Sequence, residues 1–430
     1  MELAPDRTPG ERPCRPRRAL GALPGVLRAP LLALFLALFL ALLPALLLPL
    51  GPAGGPAAAA PAAAHPPKPS ANAHFNDPLG SPAAQRRLLS QIINAVRRAP
   101  SGSVLRMAVF SFGDPETADA VVAAHRRGVH VRIVFAGDHA NPAMSRIMKE
   151  LGHNRDARSF AIECHASCRG SRGQMHAKYF SFRRTGRRQF VTMVGSVNVT
   201  RHNAERQWAD LYTVNNDRAY YRAYLHWFKQ LRADVPLDDP YVTRTVGSNR
   251  ILFTPLQLSR DRPDPVVRAL DTVTCQVTRG EFDPEARHPH RVVDTRVLIA
   301  AYAWNGQRGK DVARKVADMD EAGCRVKVFF GIGLGGAVRS ILANHGVALR
   351  HSAVPDVTTH EKLMVVHGAV GDSPRTTRAW TGSHNWSSRA LRRDDVIVRI
   401  GDEEVADAYR VGFDRMWALG IPLEGASGRR

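Results

Sequence analysis

Lysine is scarce in this chain: of 60 basic residues, 52 are Arg and only 8 are Lys. A lysine that recurs in a fixed pattern therefore marks a place where a compact ammonium is wanted rather than a planar guanidinium. Acidic residues are outnumbered too, 39 against 60, leaving a formal net charge of +21. That surplus suits an anionic partner such as nucleic acid, a phospholipid headgroup or a cell-wall polymer. A chain so rich in Arg, Ala and Pro also fits a base-composition bias of its genome, so charge alone does not choose. No cluster of Asp and Glu suggests a metal. No ladder of aromatics suited to stacking single-stranded bases stands out, and no amphipathic membrane helix is evident. What is present is ordinary for a globular protein, 44% apolar and 23% charged residues. A length of 430 residues suffices for two domains, or for one large one with two halves.

Cysteine is sparse and unevenly placed. Cys14 lies in an N-terminal basic region, leaving Cys164, Cys168, Cys275 and Cys324 in the body. An even number suggests disulfides outside the cytosol. The first pairing to expect is Cys164 with Cys168 and Cys275 with Cys324; the sequence allows two other pairings. The stretch "CHASC", with His165, matches no usual zinc spacing. Arg12, Arg15, Arg17, Arg18 and Arg28 precede an uninterrupted apolar run, Leu31–Leu43, which Pro44 breaks. Basic, then apolar, then small residues is the order of an export signal, with Ala71–Ala73 as a candidate cleavage site and Arg17-Arg18 as a weak twin-arginine match. The expectation is a secreted protein. The alternative is an outward-facing body held by an uncleaved helix, because counting on to Leu50 reaches spanning length. The division expected is 1–73 for signal and Ala/Pro-rich linker, 74–245 for a first repeat and 246–430 for a second.

The repeats are visible as parallel series of elements. "VLRMAVFSF", "ETADAVVAAHRRG" and "VHVRIVFAG" in the first half match "RVLIAAYAW", "GKDVARKVADMDEAG" and "CRVKVFFGIG" in the second. Apolar strands alternating with helices that end in Gly read as βαβ units, hence α/β halves with mixed sheets. Each half then closes with a hairpin. "MHAKYFSF" returns through "RRTGRR" to "QFVTMVGS", and "HEKLMVVHG" returns through the longer "AVGDSPRTT" to "RAWTGS". His176 and Lys178, like His360 and Lys362, stand at i and i+2 of a strand and so share a face. The return strands bring back Gly195-Ser196-x-Asn198 and Gly382-Ser383-x-Asn385. Asp210 and Asp395 follow at comparable points. The near-constant offset indicates an internal duplication with a pseudo-twofold axis.

Each residue type alone has a dull structural explanation; their joint recurrence does not. Two imidazoles meeting across a twofold can divide nucleophile and general-acid work, since one can be neutral while the other is protonated. Lys178, Lys362, Asn198 and Asn385, with Ser196 and Ser383, would surround a tetrahedral anion with donors. A carboxylate behind each His, Asp210 and Asp395, would fix its tautomer and favour its charged form. The set indicates metal-independent phosphodiester cleavage through a phosphohistidine.

These residues resemble the paired motifs of the phospholipase D superfamily, and the similarity in element order covers roughly residues 80–420. The resemblance implies an α/β/α sandwich pair, one active site at the interface, and neither metal nor cofactor. It also implies His176 as nucleophile and His360 as general acid; the residues themselves leave that order open. One departure stands out. The family motif runs from His-x-Lys through four residues to an Asp, and Arg183 and His367 occupy those places. The expected substrate is a phospholipid headgroup at a membrane surface, cleaved by hydrolysis or transfer at its distal phosphodiester bond. The alternatives are a secreted nuclease with the same core and a degenerate, non-catalytic anion-binding protein. A monomer, internally a pseudo-dimer with no obligate protein partner, is expected.

Overall fold

The computed structural model describes residues 68–137 and 141–423. The apolar run Leu31–Leu43, Cys14 and most of the Ala/Pro-rich linker lie outside the described residues. Among the described residues, no helix is long and apolar enough to cross a membrane.

The first sheet has seven strands among the described residues. Its centre is the parallel set Val104–Val109, His130–Ala136 and Phe160–Cys164. The hairpin Lys178–Thr185/Arg188–Gly195, then Asp210–Asn215 and Ser70–Phe75, add antiparallel strands on one side. The second sheet repeats this order. Arg296–Asn305, Arg325–Leu334 and Ala348–Ser352 run parallel, and Lys362–Val370, Ser373–Gly382, Val396–Ile400 and Asn249–Phe253 add on antiparallel. Strand Val242–Val246 pairs beyond Asn249–Phe253 and so belongs to this second sheet. The chain is a duplicated α/β structure with mixed sheets.

Local chemistry sets the crossovers. Asp114 caps the helix Pro115–Arg126 by accepting from Thr117 N at 2.9 Å, with Pro115 pre-set for the first turn. The helix ends before Gly128, at φ +90°, and its counterpart Gly306–Glu321 ends before Gly323, at φ +92°. Only glycine holds that conformation cheaply, so each helix stops and hands over to a buried strand.

Two expectations need correction. Ala71–Ala73 is not a free cleavage segment, because it pairs with Tyr212–Val214 inside the strand Ser70–Phe75, and cutting there would strip an edge from the first sheet. The second hairpin has no long loop. Its strands extend to a tight turn at Gly371-Asp372, with Gly371 at φ +58°, the kind of turn that short Gly/Asp connections favour. Both expected disulfides, Cys164–Cys168 and Cys275–Cys324, are formed.

Three apolar clusters fill the body. One packs the helices Arg87–Arg97, Pro115–Arg126 and Pro142–Leu151 on the first sheet, and another packs Gly306–Glu321 and Gly336–Asn344 on the second. The third contains residues of both sheets and of the helices Arg218–Ala233 and Glu403–Leu419. In Arg218–Ala233 the buried residues Tyr220, Tyr224, Trp227, Phe228 and Leu231 recur at helical spacing and form one face. This shared core presses the halves together and brings their hairpin ends to one place.

Candidate active site

Each His segment is hydrogen-bonded to the other half. His176 N donates to Asp394 O at 3.1 Å, and His360 N donates to Trp208 O at 2.7 Å. Short parallel pairings, Met175 with Asp394 and Thr358–Thr359 with Gln207–Trp208, hold these crossings in register. The buried guanidinium of Arg169 adds a further tie, donating to Gln230 Oε1, Thr254 O and Pro240 O.

A cleft of about 770 Å³ lies where the crossings meet. His176, His360, Asn198 and Asn385 line it, with Phe110 and Tyr302 as walls. The walls obey the same pseudo-symmetry. Phe110 meets the His176 ring edge-on at 4.5 Å, and Tyr302 meets His360 at 4.6 Å. Lys178 Nζ lies 4.9 Å from the centre of the Phe110 ring, and Lys362 Nζ lies 4.9 Å from that of Tyr302. Both lysines are buried, and each donates to the carbonyl of its own motif His. Their charge therefore acts from behind the imidazoles rather than from the cleft surface.

The serines are placed differently from expectation. Ser196 and Ser383 are fully buried and do not line the cleft. Ser383 Oγ donates to Asp395 Oδ1 at 2.5 Å and accepts from Val396 N; Ser196 Oγ donates to Asp210 Oδ1 at 2.6 Å and accepts from Asp210 N. They lock the return strand to its neighbour and leave the asparagines to face the cleft. The preceding glycines are dictated by the same close approach. A Cβ on Gly195 would sit 2.3 Å from Asp210 O, and one on Gly382 2.0 Å from Val396 O.

The two aspartates are not equivalent. Asp395 Oδ1 accepts from His176 Nδ1 at 2.8 Å. His360 Nδ1 instead donates to Ser196 O at 2.8 Å. The strand register gives the reason, since Gly195 pairs with Leu211 and Gly382 with Ile397. Asp210 therefore corresponds to Val396, and the true counterpart of Asp395 is Ala209. Asp210 accepts from Ser196, Thr381 and Tyr409 and makes no hydrogen bond to His360. It sits instead near the buried Glu361, and burial raises the carboxyl pKa of both.

Electrostatics follow from burial. Desolvation, with the Lys178 ammonium, pushes His176 down to about 3 against the opposing pull of Asp395. His360 is also lowered, by burial and then by Lys362 and Lys178. Lys178 falls to about 7 because it is buried. Burial raises Asp395, but His176, with His384 and Lys178, outweighs it and holds this carboxyl below the usual range. The resting pair is a neutral imidazole donating Nδ1–H to a carboxylate, which leaves Nε2 as a lone-pair donor. A ring held in this way can attack an electrophile and carry the resulting positive charge.

With this geometry in place, comparison with known proteins is decisive at family level. A family model described as "Cardiolipin synthase, PLD-like domain" matches residues 92–232 and 293–417. The chain belongs to this phospholipase D-like family. No curated protein sequence matches it. Among solved structures it resembles phosphatidylserine synthase of Haemophilus influenzae, at 12% identity and TM-score 0.53, over 82% of this chain and 88% of that one. It also resembles polyphosphate kinase of Porphyromonas gingivalis, at 9% identity and TM-score 0.54, covering 83% of this chain but only 49% of the kinase. The phospholipase D family member Nuc of Salmonella typhimurium matches over 38% of this chain at 22% identity and TM-score 0.28. Members of the phospholipase D-like family cleave or transfer phosphodiesters.

The departures from the phospholipase D motif fall outside the cleft. Arg183 lies over the Phe190 ring at 4.2 Å, and His367 Nδ1 meets Thr377 Oγ1 at 2.9 Å. Sequence reasoning missed Phe110 and Tyr302, although they occupy matching points of the repeated strands. It also missed His202, Arg389 and Arg393 at the cleft. No signal distinguishes those two arginines from the other 50. Among the described residues, the one grouping with metal-ligand proximity is Cys164, Cys168 and Asp234, whose sulfurs are consumed in a disulfide.

Proposed function

We propose that the protein is a phosphodiesterase or phosphatidyl-type transferase acting on lipid phosphodiesters, with His176 as nucleophile and His360 as general acid. The observation that carries this reading is the unequal partnering of two otherwise matched imidazoles, Asp395 behind one and a carbonyl behind the other. In the first step the lone pair of His176 Nε2 attacks phosphorus in line, an N–P bond forms, and the P–O bond to the leaving group breaks. His360 gives its Nε2 proton to that oxygen. In the second step His360 takes the proton back from water or an alcohol, whose oxygen attacks phosphorus as the N–P bond breaks. Asp395 supports the positive ring that exists only between these steps. The amides of Asn198 and Asn385, and the two ammoniums behind the cleft, offset charge on the phosphoryl oxygens. An arriving phosphodiester anion counters the lysines and restores the proton that burial denies His360.

The family description, cardiolipin synthase, supports a lipid over other phosphodiesters. A nucleic-acid phosphodiester is the second reading, favoured by Arg389 and Arg393, which form no ion pair among the described residues. The disulfides support placing the folded body outside the cytosol. The test incubates purified protein, with EDTA present, against phosphatidylcholine or phosphatidylglycerol vesicles and against plasmid DNA, with and without a primary alcohol. Release of lipid headgroup, or its exchange for the alcohol, is expected, with His176→Ala and His360→Ala each inactive. Cleavage of DNA alone overturns the lipid reading, and loss of all activity to EDTA overturns the metal-independent chemistry.

A further inference from the structure

The second half carries an excursion that the first half lacks. Residues 276–294 leave the body as the two-stranded ribbon Gln276–Thr278/Val292–Asp294 around a turn of 3₁₀ helix at Arg279–Glu281. Nearly all of it falls between the two stretches matched by the family model, which resume at residue 293. The Cys275–Cys324 disulfide fastens the base of the ribbon, one residue before it begins and one before Arg325 on the sheet. Between ribbon and sheet lies a cavity of about 430 Å³, within the usual range of small-ligand sites. It is remote from the catalytic cleft. His367 pairs with Arg296 at this end of the strands, while Lys362 pairs with Ala301 at the other, and five strand residues span roughly 17 Å.

The lining is strongly cationic. Arg279, Arg291, Arg296, Arg325 and Arg375 contribute guanidiniums, against the single carboxylate of Asp294. Three of the five are committed: Arg279 to Asp283, Arg296 to Asp414 and Arg325 to Asp294. Among the described residues Arg291 and Arg375 form no ion pair, and Arg375 is held by stacking on Phe282 at 5.2 Å. One belongs to the ribbon and the other to the sheet, so two uncompensated forks border one cavity from opposite walls. Planar guanidiniums arranged so are suited to a tetrahedral oxyanion.

His367 belongs to this wall, at the place where the phospholipase D motif has Asp. A carboxylate there would stand beside Arg296 and near Arg375 and would cancel part of the cavity's positive charge. An imidazole leaves it positive. We propose that this cavity is a second anion site, distinct from the catalytic cleft, that binds a phosphomonoester or phosphodiester group. The chemistry is shared by free phosphate and by the headgroup of an anionic phospholipid, and the two sources are separable by experiment.

The full-length protein is titrated calorimetrically with inorganic pyrophosphate at low ionic strength, beside the R291S/R375S double variant and His367→Asp. Two binding events are expected for the wild type. The double variant should lose one of them and His367→Asp should weaken it about tenfold, while both keep wild-type turnover of a soluble short-chain phosphodiester. That retained turnover also shows that the variants fold, and it makes failure of the site distinguishable from failure of the catalytic reading. Binding by the double variant that matches the wild type, whether the wild type shows one event or two, overturns the proposal. Flotation with phosphatidylglycerol vesicles then assigns the source. Weaker flotation of the double variant supports a lipid headgroup, and equal flotation supports free phosphate.

Discussion

Asp395 accepts from His176 Nδ1, whereas His360 Nδ1 turns to a backbone carbonyl, so the two imidazoles differ in how well each can bear positive charge. A carboxylate partner matters most when the ring is a cationic phosphohistidine, and an amide in its place keeps the shape but loses the charge. Asp395→Asn should therefore lower kcat on a soluble phosphodiester by about 10,000-fold with little change in KM, as for other His-orienting carboxylates. Asp210→Asn should cost less than about tenfold, because Asp210 contacts Ser196, Thr381 and Tyr409 and not His360. Steady-state kinetics on the two purified variants check the contrast, and equal losses would refute the unequal roles. The glycines before the serines act at the same scale. Gly195→Ala would drive a Cβ to 2.3 Å from Asp210 O, so it should destabilise the protein by about 2–4 kcal/mol, measured by urea unfolding.

At the scale of elements, the duplication was legible because strands and helices carry different periods, and the same order of periods occurs twice. His-x-Lys was legible as a repeated pattern, but not as one strand face: the strands begin only at Lys178 and Lys362, so each His stands ahead of its strand at the cleft while its Lys is buried behind it. Alternation failed at the far end of each hairpin as well. The return strands end at Gly195 and Gly382, so Ser and Asn beyond them no longer share a face; the serines turn inward and the asparagines outward. Spacing along the chain made Asp210 and Asp395 look equivalent, but pairing across strands shifts them by one residue, and a one-residue slip exchanges faces. Arg389 and Arg393 stayed invisible because arginine is the commonplace cation of this chain. Joining elements can be tested through Arg169, whose buried guanidinium bonds to Gln230, Thr254 and Pro240 from three segments. Arg169→Ala strands those acceptors and should cost about 3 kcal/mol in urea unfolding; a loss under 0.5 kcal/mol would mean that water replaces it without cost.

For the whole molecule, building one site from two halves means burying cations between them. Lys178 is held down to about 7 in the folded protein, chiefly by desolvation, against an ordinary lysine value near 10.5. Between those values the unfolded chain binds more protons than the folded one, so stability rises with pH across that window and the gain is complete above the unfolded value. Lys362 is lowered by the same burial and acts in the same direction. Urea unfolding at pH 7 and pH 9 should show greater stability at the higher pH, and Lys178→Met should flatten the rise; a fall in stability would contradict the burial of charged lysines as the cause. The composite site itself makes the most direct demand. If His176 attacks and His360 supplies and later removes the proton, then His360→Asn should form the covalent intermediate and fail to release it. Rapid quenching of that variant at alkaline pH with an activated phosphodiester substrate, followed by mass spectrometry of the peptides, should find the phosphoryl adduct on His176. An adduct on the corresponding His360 in His176→Asn, with none on His176 in His360→Asn, would contradict the account.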